Sequence, residues 1–383
     1  MTAERRIAIV GVDESDQIGI VPDKSPIRLH AEAARNALAD AGIDKSEVDG
    51  LFTASVNQMP AVEVAEYLGI VPKYLDSTNA GGSSFEMHVE HAAAAINAGR
   101  CSVALITHGE TGFSDRARRG ARPAFDPWST RAQFEMPYGV GGPPSLYSMA
   151  AMRHMHQYGT TSEQLAEIAV ATRMWAQLNP KAMMREDLTV DDVLSSRWIA
   201  YPFHIYDCCL VTDAGGAAVV TSAERARDLR KKPVWLLGSG EASTHTGLTG
   251  MPDLTQTPAR YSGKRAFEIA GVSHDEIDFL EVYDSFTYTV LVTVEELGFC
   301  GKGEGGPFLA GRTGPGGDFP MNTSGGGLSY THPGMFGMFL LIEAVRQLRG
   351  ECGERQVVNA RLACVNGTGG ILSSASTLIL AAD

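Results

Sequence analysis

The 383-residue chain has no cysteine before Cys101, and its six cysteines (Cys101, Cys208, Cys209, Cys300, Cys352 and Cys364) include no C-x-x-C pair. That spacing argues against a disulfide scaffold or a four-cysteine zinc site and predicts reduced, mostly buried thiols. No apolar run approaches the about 20 residues that a membrane-spanning helix needs. The N-terminus, MTAERRIAIVGV, passes from two arginines straight into a strand-like run, too short and too structured for a secretory signal. A cytoplasmic location is therefore expected. Basic residues are also in deficit, 32 against 45 acidic ones for a net charge of -13. Nucleic acid or an anionic membrane surface is a poor main partner for such a protein, although a few local cations can still hold a phosphorylated ligand.

Glycine, by contrast, is abundant at 42 residues and predicts many tight turns. A 44% hydrophobic chain of this length supports a large core divided between two units. Residues 7–12, 48–54 and 101–107 read as strands. They alternate with helical patterns over residues 29–41, stopped by Gly42, and Ser84–Asn97, rich in alanine. Residues 109–205 break this rhythm with Arg, Pro, Met, Tyr and Trp, as an inserted cap over one end of a sheet would. The layout then repeats, with strands predicted at 215–221, 234–238, 277–282, 357–366 and 373–381 and helices at 258–270, 286–297 and 333–348. A layered α/β fold in two similar halves, residues 1–230 and 231–383, is the expectation.

Polar residues gather where strands should end. Ser77-Thr-Asn-Ala-Gly-Gly-Ser-Ser84 precedes a helix whose free N–H groups can stabilise an anion, or be capped by Ser83 or Ser84. Glu281-Val-Tyr-Asp-Ser-Phe286 runs from strand to helix. Asn322-Thr-Ser-Gly-Gly-Gly-Leu-Ser-Tyr-Thr-His-Pro333 opens another helix, with Pro333 expected in its first turn and His332 near its cap. A neutral imidazole there could donate one hydrogen bond to a developing oxyanion. Cys364-Val-Asn-Gly-Thr-Gly-Gly370 forms a fourth tight loop. His154, His156, His204, Cys208 and Cys209 lack metal-ligand spacing, so no metal site is expected.

In order and spacing these segments resemble the thiolase superfamily, and within it the sterol-carrier/lipid-transfer type, over nearly the whole chain. His332-Pro333 resembles the G-H-P loop, with Thr331 in place of its glycine. Tyr283-Asp284-Ser285-Phe286 falls where members carry N-E-A-F or H-D-C-F, and Cys364–Gly370 resembles the final glycine-rich loop. The resemblance implies a thiolase fold, two similar halves in an α-β-α-β-α arrangement with an inserted loop domain. It also implies a homodimer.

The departures alter the chemistry expected. Thiolases place a nucleophilic cysteine at the start of the first-half helix. The matching position here is Gly82, flanked by Ser83 and Ser84, with no base nearby to activate a serine. Tyr283 replaces the Asn or His of the second loop, and Tyr330 stands two residues before His332. The sequence thus resembles the thiolase-like subunit of steroid side-chain-cleaving aldolases, which act on β-hydroxyacyl-CoA. That resemblance implies a retro-aldol cleavage in which Tyr330 or Tyr283 accepts the β-hydroxyl proton and His332 stabilises the enolate oxygen. Cys364 is either a proton relay or a buried thiol, and Asp284 orients its loop. No permanently bound cofactor is expected, with the coenzyme A thioester as substrate and Ser239 and His245 near its pantetheine arm. The aldolase branch also implies a small zinc-ribbon/OB-fold partner in a heterotetramer, the zinc belonging to the partner. An acyltransferase using Ser83 or Cys364, and a non-catalytic acyl-CoA scaffold, are the rival expectations.

Overall fold

The computed structural model describes residues 6–54, 58–119 and 126–383. The first five residues of the N-terminal reading and residues 120–125 of the inserted segment lie outside them. Among the described residues the strands are, in chain order, β1 (Ile7–Glu14), β2 (Gly50–Thr53), β3 (Tyr74–Asp76), β4 (Val103–Thr111), β5 (Trp198–Ala200), β6 (Phe203–His204), β7 (Asp213–Ser222), β8 (Val234–Ser243), β9 (Phe279–Val282), β10 (Leu362–Gly369) and β11 (Ser374–Ala381). β5 and β6 pair by themselves, and the other nine run in the order β3-β2-β4-β7-β1-β8-β11-β10-β9.

That order contains its own repeat. β2 and β4 are parallel, and β4, β7 and β1 follow antiparallel. β9 and β10 are likewise parallel, and β10, β11 and β8 follow antiparallel. Among the described strands, the two halves pair where β1 meets β8, through Ala8–Trp235 and Ile9–Val234. The helices Ser84–Asn97 and Gly337–Arg349 contact strands of both halves and each other, so they form a central layer. The helices Pro26–Ala41 and Ala259–Ala270 cover the outer faces of the first and second half. The result is the α-β-α-β-α layering of the thiolase fold.

Burial on both faces explains the composition of the inner strands. β7 reads Asp-Ala-Gly-Gly-Ala-Ala-Val-Val-Thr-Ser and is buried along nearly its whole length, so it shows no polar alternation. Its paired glycines face opposite layers. A methyl on Gly215 would lie 2.5 Å from Leu29 O of the outer helix, and one on Gly216 would lie 2.6 Å from Met338 Cγ of the central helix. Two helices can therefore close on one strand from both sides.

The helix predicted over residues 333–348 begins later, at Gly337. Gly326–Tyr330 instead forms one wide turn, closed by Tyr330 N–H donating to Gly325 O at 3.0 Å, and Thr331 then becomes extended. Gly325 and Gly326 both take positive φ, which lets the chain make this turn. Pro333 therefore lies ahead of the helix rather than in its first turn, and His332 is not at a helix cap.

Candidate active site

Four segments meet at one end of the sheet: the Gly81-Gly82 turn before the first central helix, the chain leaving β9, the loop from Thr331 to Phe336, and the end of β10. With residues of the inserted segment they enclose a cavity of about 650 Å³. Pro143, Ile199, Ile205, Leu210 and Val211 give it an apolar wall, while Tyr283, His332, Glu110, Arg116 and Arg197 supply polar groups. A size of several hundred Å³ with few convergent polar groups suits a bulky, mainly apolar small molecule.

Backbone contacts fix the two central side chains. Tyr283 N–H donates to Asn366 O at 3.0 Å, tying the residue after β9 to β10. His332 N–H donates to Thr212 Oγ1 at 2.9 Å, and Thr212 N–H donates to His332 O at 3.2 Å. Asp284 clamps the intervening glycine-rich turn by accepting from Gly327 N–H at 2.7 Å and Leu328 N–H at 3.1 Å. Burial raises the Asp284 carboxyl to about 7, against the pull of those two N–H groups.

The Tyr283 hydroxyl lies 3.0 Å from His332 Nε2 and accepts from Phe336 N–H at 3.1 Å. Burial lowers His332 to about 4, so the ring is neutral near pH 7. In the neutral tautomer that carries its proton on Nδ1, Nε2 accepts from the phenol. Burial, reinforced by Cys209, pushes Tyr283 well above its ordinary value of 10. A phenol held neutral and hydrogen-bonded to a free imidazole nitrogen passes a proton without first ionising.

Of the residues expected at the site, the structure brings Tyr283 and His332 together and directs the others elsewhere. The Tyr330 hydroxyl donates to Glu14 Oε1 at 2.6 Å, inside an ionic cluster where Arg346 also binds Glu14 at 2.6 Å. Burial favours protonation of Glu14, but Arg346 and Lys181 overcome it and hold the carboxyl well below the usual range. Tyr330 is thus spent on a buried carboxylate and lines a separate, smaller cavity. Cys364 sits within β10 between Leu280 and Ile379, fully buried among apolar side chains, and burial raises its thiol. Thr368 and Gly370, further along the strand and its turn, reach the cavity instead. Ser239 lies within β8 opposite Leu378. His245 lies behind the cavity turn, with Nε2 2.9 Å from Ile371 O.

Position 82 carries no nucleophile, and the neighbouring hydroxyl is occupied. Ser83 Oγ is 2.6 Å from Ser374 Oγ and donates to Ala80 O at 3.1 Å, with the residue fully buried. The inserted segment contributes what sequence reading missed. Arg116, Arg197 and Tyr147 line the cavity, and Tyr147 donates to Gly370 O at 2.9 Å. The only signal for them was the segment's excess of arginine and aromatic residues. Glu110, at the end of β4, rests its carboxylate against Gly334, where a methyl would lie 1.8 Å from Oε2. Among the described residues, no group of three or more His, Cys, Asp or Glu is arranged to hold a metal ion. No helix among the described residues is long and apolar enough to cross a membrane.

Paired half-sheets around a buried helix layer, with a cavity at the strand ends and the first central helix's N-terminus, define a thiolase-like α/β protein. The chain belongs to the thiolase superfamily, and residues 240–382 match the family described as thiolase C-terminal domain-like. It is 36% identical over 364 residues to the 17-hydroxy-3-oxo-4-pregnene-20-carboxyl-CoA lyase of Mycobacterium tuberculosis, covering 90% of this chain and 91% of that one. It is 35% identical over 382 residues to a steroid side-chain-cleaving aldolase of Thermomonospora curvata, with 94% of each covered. An acetyl-CoA acetyltransferase of Methanothermobacter thermautotrophicus is 32% identical over 385 residues, covering 98% and 99%. A solved structure described as an Ltp2-ChsH2(DUF35) aldolase superimposes with a TM-score of 0.90 at 33% identity, covering 100% of this chain and 99% of that chain.

Proposed function

We propose that the chain is a thiolase-like aldolase that cleaves a β-hydroxyacyl-CoA with a bulky, steroid-type acyl group into a ketone and a shorter acyl-CoA. The observation that carries this reading is the Tyr283–His332 pair, facing a cavity whose Gly82 offers no nucleophile. The β-hydroxyl gives its proton to the Tyr283 oxygen as the phenolic proton moves to His332 Nε2. The Cα–Cβ bond breaks, its electron pair passes into the thioester as an enolate, and the β-carbon leaves as a ketone. The proton then returns through Tyr283 to Cα, so no oxidant or metal is consumed. Concerted transfer avoids the unfavourable free phenolate that burial would otherwise impose.

Arg116 and Arg197 are the cavity's cations and hold the anionic portion of the coenzyme A ester, while Ser239 and His245, expected beside its pantetheine arm, are not among the cavity's lining residues. The relative solved in complex is named for two components, which supports a second protein acting with this chain. A zinc-ribbon/OB-fold partner, a homodimer and a cytoplasmic location complete the reading. Exposed Trp128, Tyr138 and Trp198 in the inserted segment offer apolar surface for such contacts.

The acetyltransferase among the relatives favours a second reading, acyl transfer through a covalent acyl-protein on Ser83 or Cys364. Incubation with a steroid-type β-hydroxyacyl-CoA separates the two. The aldolase releases a ketone and a short acyl-CoA in equal amounts with no change in protein mass. An acylated protein, with no ketone formed, would reject the aldolase reading.

A further inference from the structure

Gly82 is a glycine without a backbone reason to be one. Gly81 beside it has φ +72 and belongs to the left-handed region, but Gly82 does not have positive φ. Its conformation is open to any L-residue, so the constraint on its identity is space. A methyl at position 82 would lie 2.1 Å from Tyr283 Cε2, 2.6 Å from Tyr283 Cζ and 2.6 Å from Thr368 O. The nearest of these atoms is an aromatic ring that has little room to move. Its hydroxyl is held by His332 Nε2 and Phe336 N–H, and its ring packs edge-on against those of His332 and Phe336 at centroid distances of 5.6 and 6.1 Å.

We propose that Gly82 is a positioning residue for Tyr283: the bare backbone at position 82 is the seat of the phenol ring, and ring and side chain compete for one volume. The loss of a side chain at the helix start and the gain of tyrosine after β9 are then one change. The same space cannot hold both a thiol at position 82 and the Tyr283 ring in its hydrogen-bonded place. Gly82 thus selects the chemistry of the site without touching the reacting atoms. The inference rests on the aldolase reading only for its kinetic consequence.

The test is a cycle of Gly82→Ala, Tyr283→Ala and the double variant. It is read by thermal unfolding, by the His332 imidazole nitrogen resonances (assigned with His332→Gln) and by cleavage rate. In Gly82→Ala the phenol is displaced, the His332 Nε2 resonance moves to that of an imidazole without its donor, and cleavage falls at least about 100-fold, the scale of a lost acid–base group. The melting temperature falls with Tyr283 present and much less when residue 283 is alanine. If Gly82→Ala does not fold, recovery of folding in the double variant makes the same point. A wild-type His332 resonance in Gly82→Ala overturns the proposal. So does an equal penalty with alanine at 283, which would place the conflict on the Thr368 carbonyl. The resonance and unfolding readouts decide the matter even if the protein cleaves no β-hydroxyacyl-CoA, so the two readings fail separately.

Discussion

The Tyr283 hydroxyl and His332 Nε2 lie 3.0 Å apart although 49 positions separate the residues, and Phe336 N–H donates to the same phenolic oxygen. One side of the phenol is thus committed to the protein scaffold, leaving its remaining lone pair for a hydroxyl in the cavity. Tyr283→Phe removes the oxygen proposed to receive the substrate proton and keeps the ring that fills the space. Its kcat should fall by about 100- to 10,000-fold, with KM changed little and the fold retained. Steady-state kinetics beside a circular dichroism melt measure this, and a near-wild-type kcat would remove the phenol from the reaction.

Tyr330→Phe should behave differently. Its hydroxyl serves Glu14, which keeps Arg346 and Lys181 as partners when the phenol is gone. The expected cost is about 1.5–3 kcal/mol of stability, the range for a hydrogen bond to a charged group, with kcat within a few-fold of wild type. Urea unfolding and kinetics on the folded variant read both quantities. A 100-fold fall in kcat without a stability change would return Tyr330 to the catalytic machinery.

The pH dependence follows from His332. Burial depresses its folded value to about 4 from an ordinary 6.5, so the nitrogen facing Tyr283 stays free at physiological pH. The acid limb of the kcat profile should therefore fall near pH 4, where Nε2 gains a proton and can no longer accept one. For stability, the unfolded state binds the extra proton first. The contribution of this ring is full above pH 6.5 and is lost as pH falls toward 4. A pH–rate profile with its acid midpoint at 6.5 would contradict this assignment.

Glu86 works in the opposite direction. It lies in the first turn of the first central helix, fully buried, with neither carboxyl oxygen hydrogen-bonded, and burial raises it to about 8 from 4.5. Its folded form keeps a proton that the unfolded chain releases. The resulting stability is fully present below pH 4.5 and is lost as pH rises through 8, with a slope of at most about 1.4 kcal/mol per pH unit. Glu86→Gln should flatten that part of the stability curve. Urea unfolding at pH 5, 6, 7 and 8 would show it, and an unchanged slope would mean that Glu86 is already ionised in the folded protein.

Local sequence carried far on some points. Apolar runs and helix patterns located β1, β7 and both central helices, because burial on both faces leaves little room for polar residues. The absence of a cysteine near Gly82 could be read directly, as could Tyr283 and His332 at the loops that converge. Tyr330 illustrates where such reading stops. Two residues from His332, it would share a face with it in an extended chain, but the wide turn ending at Tyr330 breaks that alternation and points its hydroxyl at Glu14, 316 positions away. Cys364 similarly stands within a strand, ahead of the turn that reaches the cavity.

The sequence by itself thus determined the layered fold, the missing nucleophile and the candidate residues Tyr283, Tyr330 and His332. It did so because periodicity and the absence of a side chain are local properties. Tertiary structure alone decided which phenol faces the cavity, which arginines line it and how closely the Tyr283 ring approaches position 82. Those are questions of direction and shared volume between segments far apart in the chain, and only packing answers them.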